Sequence, residues 1–360
     1  MSGPLLGGLI GDLLWFLERP SVTGDEQRLC DDLEARASRL AGWETRRILN
    51  NLIVSRADPD PSRDRIVFAG HLDTVPEPRG GLPVRLEGGR IYGRGASDMK
   101  AGDAVMLALL ESFSWEGSWA EPLFVFYERE EGPYAENGLE SVFAQALEVL
   151  DAELALVLEP TAGALEVGCV GTAQVEVTFK GRSAHSARPW QGKNAITLAG
   201  AFLAKLHERQ VEEVVVEGLT FYEVLVPTLA RGGRAKNVVP DEFWINVNHR
   251  FPPGKGIEDV RRVFEELVGE EARYEIVDYA PSGPVELDNP LLRRLIETET
   301  GLEVRPKQAW TDVARFAQRG VAAANLGPGL PAQAHQEAEY AELSLLEGCY
   351  EHLISFLMHS

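Results

Sequence analysis

At 360 residues the chain is long enough for two domains of ordinary size, or for one large domain carrying an insertion. Its composition, 44% hydrophobic and 25% charged, is that of an ordered globular protein. A formal charge of −21, from 56 acidic against 35 basic residues, argues against nucleic acid and anionic membranes as partners, because phosphate recognition needs a basic face.

From the N-terminus, Leu6, Leu9, Ile10, Leu13, Leu14 and Leu17 recur at three- and four-residue intervals, which predicts an amphipathic helix. A secretory leader would open with a basic cluster. Here there is none, and Asp12 and Glu18 interrupt the apolar residues. No stretch approaches the length of a membrane span. Cys30, Cys169 and Cys349 form no CxxC pair, so a reducing, cytoplasmic setting is expected and no thiolate metal site is legible. Residues 65–69 form an apolar run ending in Gly70-His71, and 102–113 read as a buried helix. Residues 123–127 are a second apolar run, ending in Glu128-Arg129-Glu130-Glu131, and 154–158 are a third, followed by Glu159. Such alternation predicts an α/β sheet with helices on its faces. Near Gly168 the texture changes. Strands are expected at 172–180, 220–230, 241–251 and 272–279, with helices at 194–209 and 257–268, an order that fits a small ferredoxin-like unit. After Pro284, helices at 289–300, 312–319 and 341–358 and a strand at 321–326 resume the first pattern. The expected division is therefore residues 1–172 with 284–360, interrupted by 173–283.

Potential metal ligands follow apolar runs three times: His71 with Asp73, Glu130 with Glu131, and Glu159. In an open α/β sheet, ligands bind beyond the carboxyl ends of the strands, so three such ends are able to converge on one site. Neutral imidazole and carboxylate suit zinc, and two ions about 3.5–4 Å apart need one carboxylate bridging them. A further carboxylate, off the metal, has to take a proton from water and pass it to the leaving nitrogen. Adjacent acids such as Glu130 and Glu131 are able to divide those tasks. Other histidines read differently. His249 alternates with Phe243, Ile245, Val247 and Phe251 on a packed strand face, while His207, His352 and His359 fit structural or solvent-exposed places. Arg250 matches either a substrate carboxylate, through its guanidinium fork, or an ordinary surface ion pair. Asn237 either binds substrate or shapes the turn before Pro240.

The segments Gly70-His71-Leu72-Asp73-Thr74-Val75-Pro76 and Gly93-Arg94-Gly95-Ala96-Ser97-Asp98-Met99-Lys100-Ala101-Gly102 resemble the two signatures of a zinc amidohydrolase and exopeptidase family. That family includes succinyl-diaminopimelate desuccinylase, acetylornithine deacetylase, glutamate carboxypeptidase and aminoacylase. Glu130-Glu131-Gly132, Glu159-Pro160, Ala184-His185 through Pro189, Gly192-x-Asn194-Ala195, Asn237-Val238-Val239-Pro240 and His335 extend the resemblance over essentially the whole chain. It implies a di-zinc exopeptidase-like catalytic domain with a central mixed sheet, interrupted by a ferredoxin-like α+β lid domain through which a homodimer forms. On these positions it implies that Asp98 bridges two zinc ions, for which cobalt is a candidate substitute. His71 and Glu159 would complete one site, Glu131 and His335 the other. Glu130 would be the general base, and Asp73 would orient and polarise His71. The resemblance also implies a cis peptide after Asp98 and an oxyanion-stabilising His185, often reaching a neighbouring subunit. Many members have Asp where Arg129 stands here.

Within the family, Ser183-Ala184-His185-Ser186-Ala187-Arg188-Pro189-Trp190, Arg231-Gly232-Gly233-Arg234-Ala235-Lys236-Asn237-Val238, Asn248-His249-Arg250-Phe251 and Trp310-Thr311-Asp312-Val313-Ala314-Arg315-Phe316 resemble the actinobacterial-type succinyl-diaminopimelate desuccinylases. This puts Arg250, Asn237 and Thr311 forward as substrate-binding residues. The implied reaction cleaves N-succinyl-LL-2,6-diaminopimelate, a small anionic N-acyl amino acid, to succinate and LL-diaminopimelate in lysine and cell-wall precursor synthesis. Arg182, Arg188, Arg234 and Arg250 supply local positive charge. Gly168-Cys169-Val170-Gly171 lacks an arginine that some desuccinylases carry, which leaves an acetylornithine deacetylase, or a general aminoacylase or carboxypeptidase, as the alternative. A remoter reading is a non-catalytic binding protein of the same fold, which loss of Glu130 or of a ligand would mark; all six positions are present.

Overall fold

The computed structural model describes residues 4–209, 211–299 and 301–358. Contacts divide the chain into two compact units: Met1–Val167 with Glu286–Arg305 and Thr311–Ser360, and Gly168–Val285 with Pro306–Trp310.

The first unit is built on an eight-stranded mixed sheet. Its order is Trp43–Ile48, Asn51–Arg56, Ala120–Tyr127, Asp64–His71, Leu154–Val157, Ala323–Asn325, Leu165–Cys169, Val304–Lys307. The three strands expected from apolar runs lie together and parallel, with Asp64–His71 between the other two. Every residue of Ala120–Tyr127 and Leu154–Val157 is buried, as continuous apolar runs require in parallel strands covered on both faces. Helix Lys100–Ser112 is buried from Lys100 to Leu110, and helices Pro4–Leu17 and Leu343–Met358 pack on it. Gly102 permits its close seating: a Cβ there would come within 2.3 Å of the Leu158 carbonyl oxygen, one residue before Glu159. A three-stranded sheet, Tyr340–Glu342, Arg90–Tyr92 and Arg85–Glu87, was not expected. Its three-residue strands are too short to leave a periodic signal.

The second unit is a five-stranded antiparallel sheet in the order Val211–Val216, Leu219–Gly232, Glu242–Phe251, Gly171–Lys180, Ala272–Ala280. Val175, Val177, Phe179, Val247 and Phe251 pack with Phe202 and Leu206 of helix Gly200–Glu208 and with Val260 and Phe264 of helix Ile257–Val268. The order along the chain is β-α-β-β-β-α-β, one strand more than expected. The extra strand, Val211–Val216, is joined to its neighbour by Glu217-Gly218, whose φ angles of 49° and 82° make the tight turn that matches strand twist. Val211 and Val215 are solvent-exposed, so the strand has no buried face to impose alternation. Among the described residues no helix is long and apolar enough to cross a membrane.

Candidate metal centre

Register places the key residues. His71 stands opposite Tyr127 and Ala69 opposite Val157, so His71, residues 128–131 and Glu159 all leave the sheet beyond the carboxyl ends of adjacent parallel strands. Asp98 arrives on the loop before helix Lys100–Ser112, and the Asp98-Met99 peptide is cis. His335 arrives on the loop before strand Tyr340–Glu342.

Asp98 lies between two imidazoles. Its Oδ1 is 3.2 Å from His71 Nε2, and its Oδ2 is 3.5 Å from His335 Nε2. His71 Nε2 is 3.8 Å from Glu159 Oε1, and His335 Nε2 is 2.9 Å from Glu131 Oε1. Two sets of donor atoms therefore fall within 4.8 Å of one another: His71, Asp98 and Glu159, and Asp98, Glu131 and His335. A third such set, His71, Glu130 and Glu131, puts Glu130 against the same cluster. His71 is fully buried while the His335 side chain is 53% exposed, so solvent reaches the cluster from the His335 side.

Four carboxylates share this small volume, and they repel one another unless cations separate them. The crowding shows in proton affinities. Burial opposes charge on His71, yet Asp73 and Asp98 hold its imidazole well above the usual value. Burial first, and then the neighbouring Glu159 carboxylate, push the Glu130 carboxyl well above its usual range. The hydrogen bond to Glu131 raises His335. Divalent cations bound here would relieve this repulsion, and imidazole nitrogens with carboxylate oxygens suit transition-metal ions.

Asp73 underlies the cluster. His71 Nδ1 is 3.0 Å from the Asp73 carbonyl oxygen and 3.5 Å from its Oδ1, leaving Nε2 to face Asp98. The Asp73 carboxylate accepts the Glu130 N–H at 2.9 Å, the Glu131 N–H at 3.1 Å and the Thr23 hydroxyl at 2.9 Å. Burial raises its pKa, but His71 and these donors outweigh burial and hold it below the ordinary value. One carboxylate thus orients both His71 and the paired glutamates. Asp73→Asn turns an amide nitrogen towards some of these donors. It is expected to weaken metal binding about 10- to 100-fold, measured by chelator competition.

Residues 67–359 match the profile of peptidase family M20/M25/M40. The chain belongs to this family. Over 326 residues it is 38% identical to a putative succinyl-diaminopimelate desuccinylase of Mycobacterium tuberculosis, covering 89% of each chain. Over 342 residues it is 36% identical to the succinyl-diaminopimelate desuccinylase of Corynebacterium glutamicum, covering 92% of each. Its fold is similar to that of an aminopeptidase from Bacillus cereus, with a TM-score of 0.79 at 21% identity over 98% of each chain.

Arg129 stands where the resemblance led to an expectation of Asp. Its φ is 60°, a left-handed backbone that Asp tolerates better than Arg, and its guanidinium pairs with Glu136 at 2.6 Å. His185, Asn237 and Arg250 belong to the second unit. The Ala187 N–H donates to His185 Nδ1 at 3.1 Å, so a neutral His185 ring carries its proton on Nε2. The Ser186 N–H donates to the Asn237 carbonyl at 2.9 Å, which brings His185 and Asn237 onto adjoining strands of chain. Arg250 is half-buried and donates through Nε to Asn248 Oδ1 at 3.1 Å. It has no carboxylate partner among the described residues, and burial lowers its pKa, so it is not a surface ion pair. His249 is packed as expected, with Nε2 at 2.8 Å from Glu223 Oε1. His207 is exposed, His352 pairs with Glu299 at 2.5 Å, and His359 lies outside the described residues.

Thr311, in the first unit, is buried beside a group that the sequence did not reveal. The Asp312 carboxylate, also buried, accepts the Tyr127 hydroxyl at 2.7 Å, Asn137 Nδ2 at 3.0 Å and Arg315 Nε at 2.7 Å. It thereby braces the strand end from which residues 128–131 depart. The i,i+3 spacing of Asp312 and Arg315 was the available signal. A second unforeseen group is Glu339, which is fully buried.

Proposed function

We propose that this chain hydrolyses N-succinyl-LL-2,6-diaminopimelate to succinate and LL-diaminopimelate. Two zinc ions would be held by His71, Asp98 and Glu159 and by Asp98, Glu131 and His335. The single observation supporting the metal reading best is the Asp98 carboxylate, with one oxygen turned towards each imidazole. The substrate rests on the 38% and 36% identities to desuccinylases over about nine-tenths of the chain.

When bound, the ions would supply Lewis acidity towards the amide carbonyl and towards water. Glu130, packed against the cluster, takes the proton of the attacking water and delivers it to the leaving nitrogen. Asp73 holds the His71 ring with Nε2 outward. His185, supplied by a partner copy, donates from Nε2 to the carbonyl oxygen. Asn237 and Thr311 contact the substrate, and Arg250, with no acid of its own, grips a substrate carboxylate. Replacing Arg250 with Ala is expected to raise KM about 10- to 100-fold and leave kcat nearly unchanged, as loss of a charge-assisted hydrogen bond made equally in ground and transition states does. Residues 1–172 with 284–360 form the catalytic domain, and 173–283 the ferredoxin-like lid through which two copies pair. Light scattering should return twice the chain mass. The enzyme works in the cytoplasm, where its buried free cysteines stay reduced.

The test is a side-by-side assay of zinc-loaded protein on N-succinyl-LL-diaminopimelate and N-acetylornithine. The succinylated compound should turn over faster. Turnover of the acetylated compound alone would establish the deacetylase alternative, and no hydrolysis across a panel of N-acyl amino acids would favour a binding protein.

A further inference from the structure

Glu339 stands in a stretch with Glu337 and Glu342, where a solvated acidic face would be ordinary, yet it is 1% exposed. Its Oε2 accepts the Gly95 N–H at 3.0 Å and Arg94 Nη1 at 2.7 Å. Its Oε1 accepts the Ser97 N–H at 2.9 Å and the Asp98 N–H at 3.1 Å. Two more bonds join the same segments: the Gly93 N–H to the Glu339 carbonyl at 3.2 Å, and Arg94 Nη1 to the Gln336 carbonyl at 3.2 Å. One segment ends in Asp98 and the other begins at His335, although Asp98 and Glu339 are 241 positions apart.

We infer that Glu339 is a positioning residue that sets Asp98 and His335 relative to each other, and through them the geometry of the two cation sites. This rests on the metal reading proposed above. Asp98 has to offer one oxygen to each site, so the peptide from which its side chain springs must be held. Glu339 holds that peptide by its own N–H and by two N–H groups just before it. The His335 side chain is half-exposed, so packing around the ring does little to hold it. The short run of chain to Glu339 tethers the residue on one side, while two bonds between Leu330 and the Ser97 hydroxyl hold the loop on the other and His335 Nε2 meets Glu131 at 2.9 Å. A carboxylate satisfies four donors with two acceptor oxygens. A carboxamide cannot: its NH2 must face either Gly95 and Arg94 or Ser97 and Asp98. Glu339→Gln is therefore almost isosteric yet opens half of the clamp.

The test is a cobalt(II) titration of the full chain, stripped of metal with a chelator and followed by visible d–d absorption. The wild type should bind two equivalents. Glu339→Gln should bind both about 10- to 100-fold more weakly, with an altered spectrum, as loss of a ligand-orienting partner does. The surface variant Arg90→Ala, in the same small sheet, should match the wild type. Wild-type affinity and spectrum in Glu339→Gln overturn the inference alone, whereas a wild type that binds no cobalt overturns the metal reading and the inference with it. Should Glu339→Gln fail to fold, Arg94→Met keeps the carboxylate and its backbone donors while removing two bonds. It should weaken cobalt binding about fivefold, the scale of one or two net hydrogen bonds, and unchanged affinity would equally overturn the inference.

Discussion

Asp98→Ala is expected to bind neither cation tightly and to lose kcat/KM by about four orders of magnitude or more. Asp98 turns a separate carboxylate oxygen towards each of the two imidazoles. Without it, His71 and Glu159 remain on one side and Glu131 and His335 on the other. Two protein ligands per ion fall short of the three that catalytic zinc sites use. Lewis-acid assistance is worth several kcal/mol of transition-state stabilisation, and each 1.36 kcal/mol is about tenfold in rate, which sets the expected magnitude. Metal content after dialysis and kcat/KM should fall together. A variant that kept two tightly bound ions would show that Asp98 is not shared.

Glu130→Gln should behave in the opposite way, keeping both ions while kcat falls about 10²- to 10⁴-fold, the usual contribution of a general base. Because Glu130 also lies within ligand range of His71 and Glu131, metal content has to be measured alongside the rate. Loss of an ion would make Glu130 a ligand instead. The pH profile adds a signed test. The base acts ionised, and burial with the Glu159 carboxylate pushes its pKa well above the usual range. Activity is therefore present above that raised pKa and lost as pH falls through it, so the acidic limb of kcat/KM sits higher than an ordinary glutamate would place it. Bound cations draw the limb back down, which makes its position a report of metal loading. Glu130→Gln should lack the limb altogether.

Much of the first unit was legible because parallel strands leave a strong local signal. The runs around Val67, Phe124 and Leu156 are continuous and apolar, and the polar residues that end them stand beyond the carboxyl ends of neighbouring strands. His335 had no such signal; whole-chain resemblance alone singled it out. Glu339 left no signal, because its partners include backbone N–H groups on a distant loop and such bonds leave no periodicity. Asp312 stood inside the 310–316 stretch of the resemblance and at the start of an expected helix, but neither revealed that its carboxylate reaches Tyr127 on the sheet. In the second unit the strand Val211–Val216 escaped notice because Val211 and Val215 face solvent and none of its residues is buried. Only the Glu217-Gly218 pair marked the hairpin.

The most direct measurement is anomalous diffraction from crystals of the zinc-loaded protein, recorded at the zinc edge. The expected result is two peaks about 3.5–4 Å apart, with an Asp98 oxygen on each, His71 and Glu159 on one, and Glu131 and His335 on the other. A single peak, or two peaks that Asp98 does not join, would contradict the account.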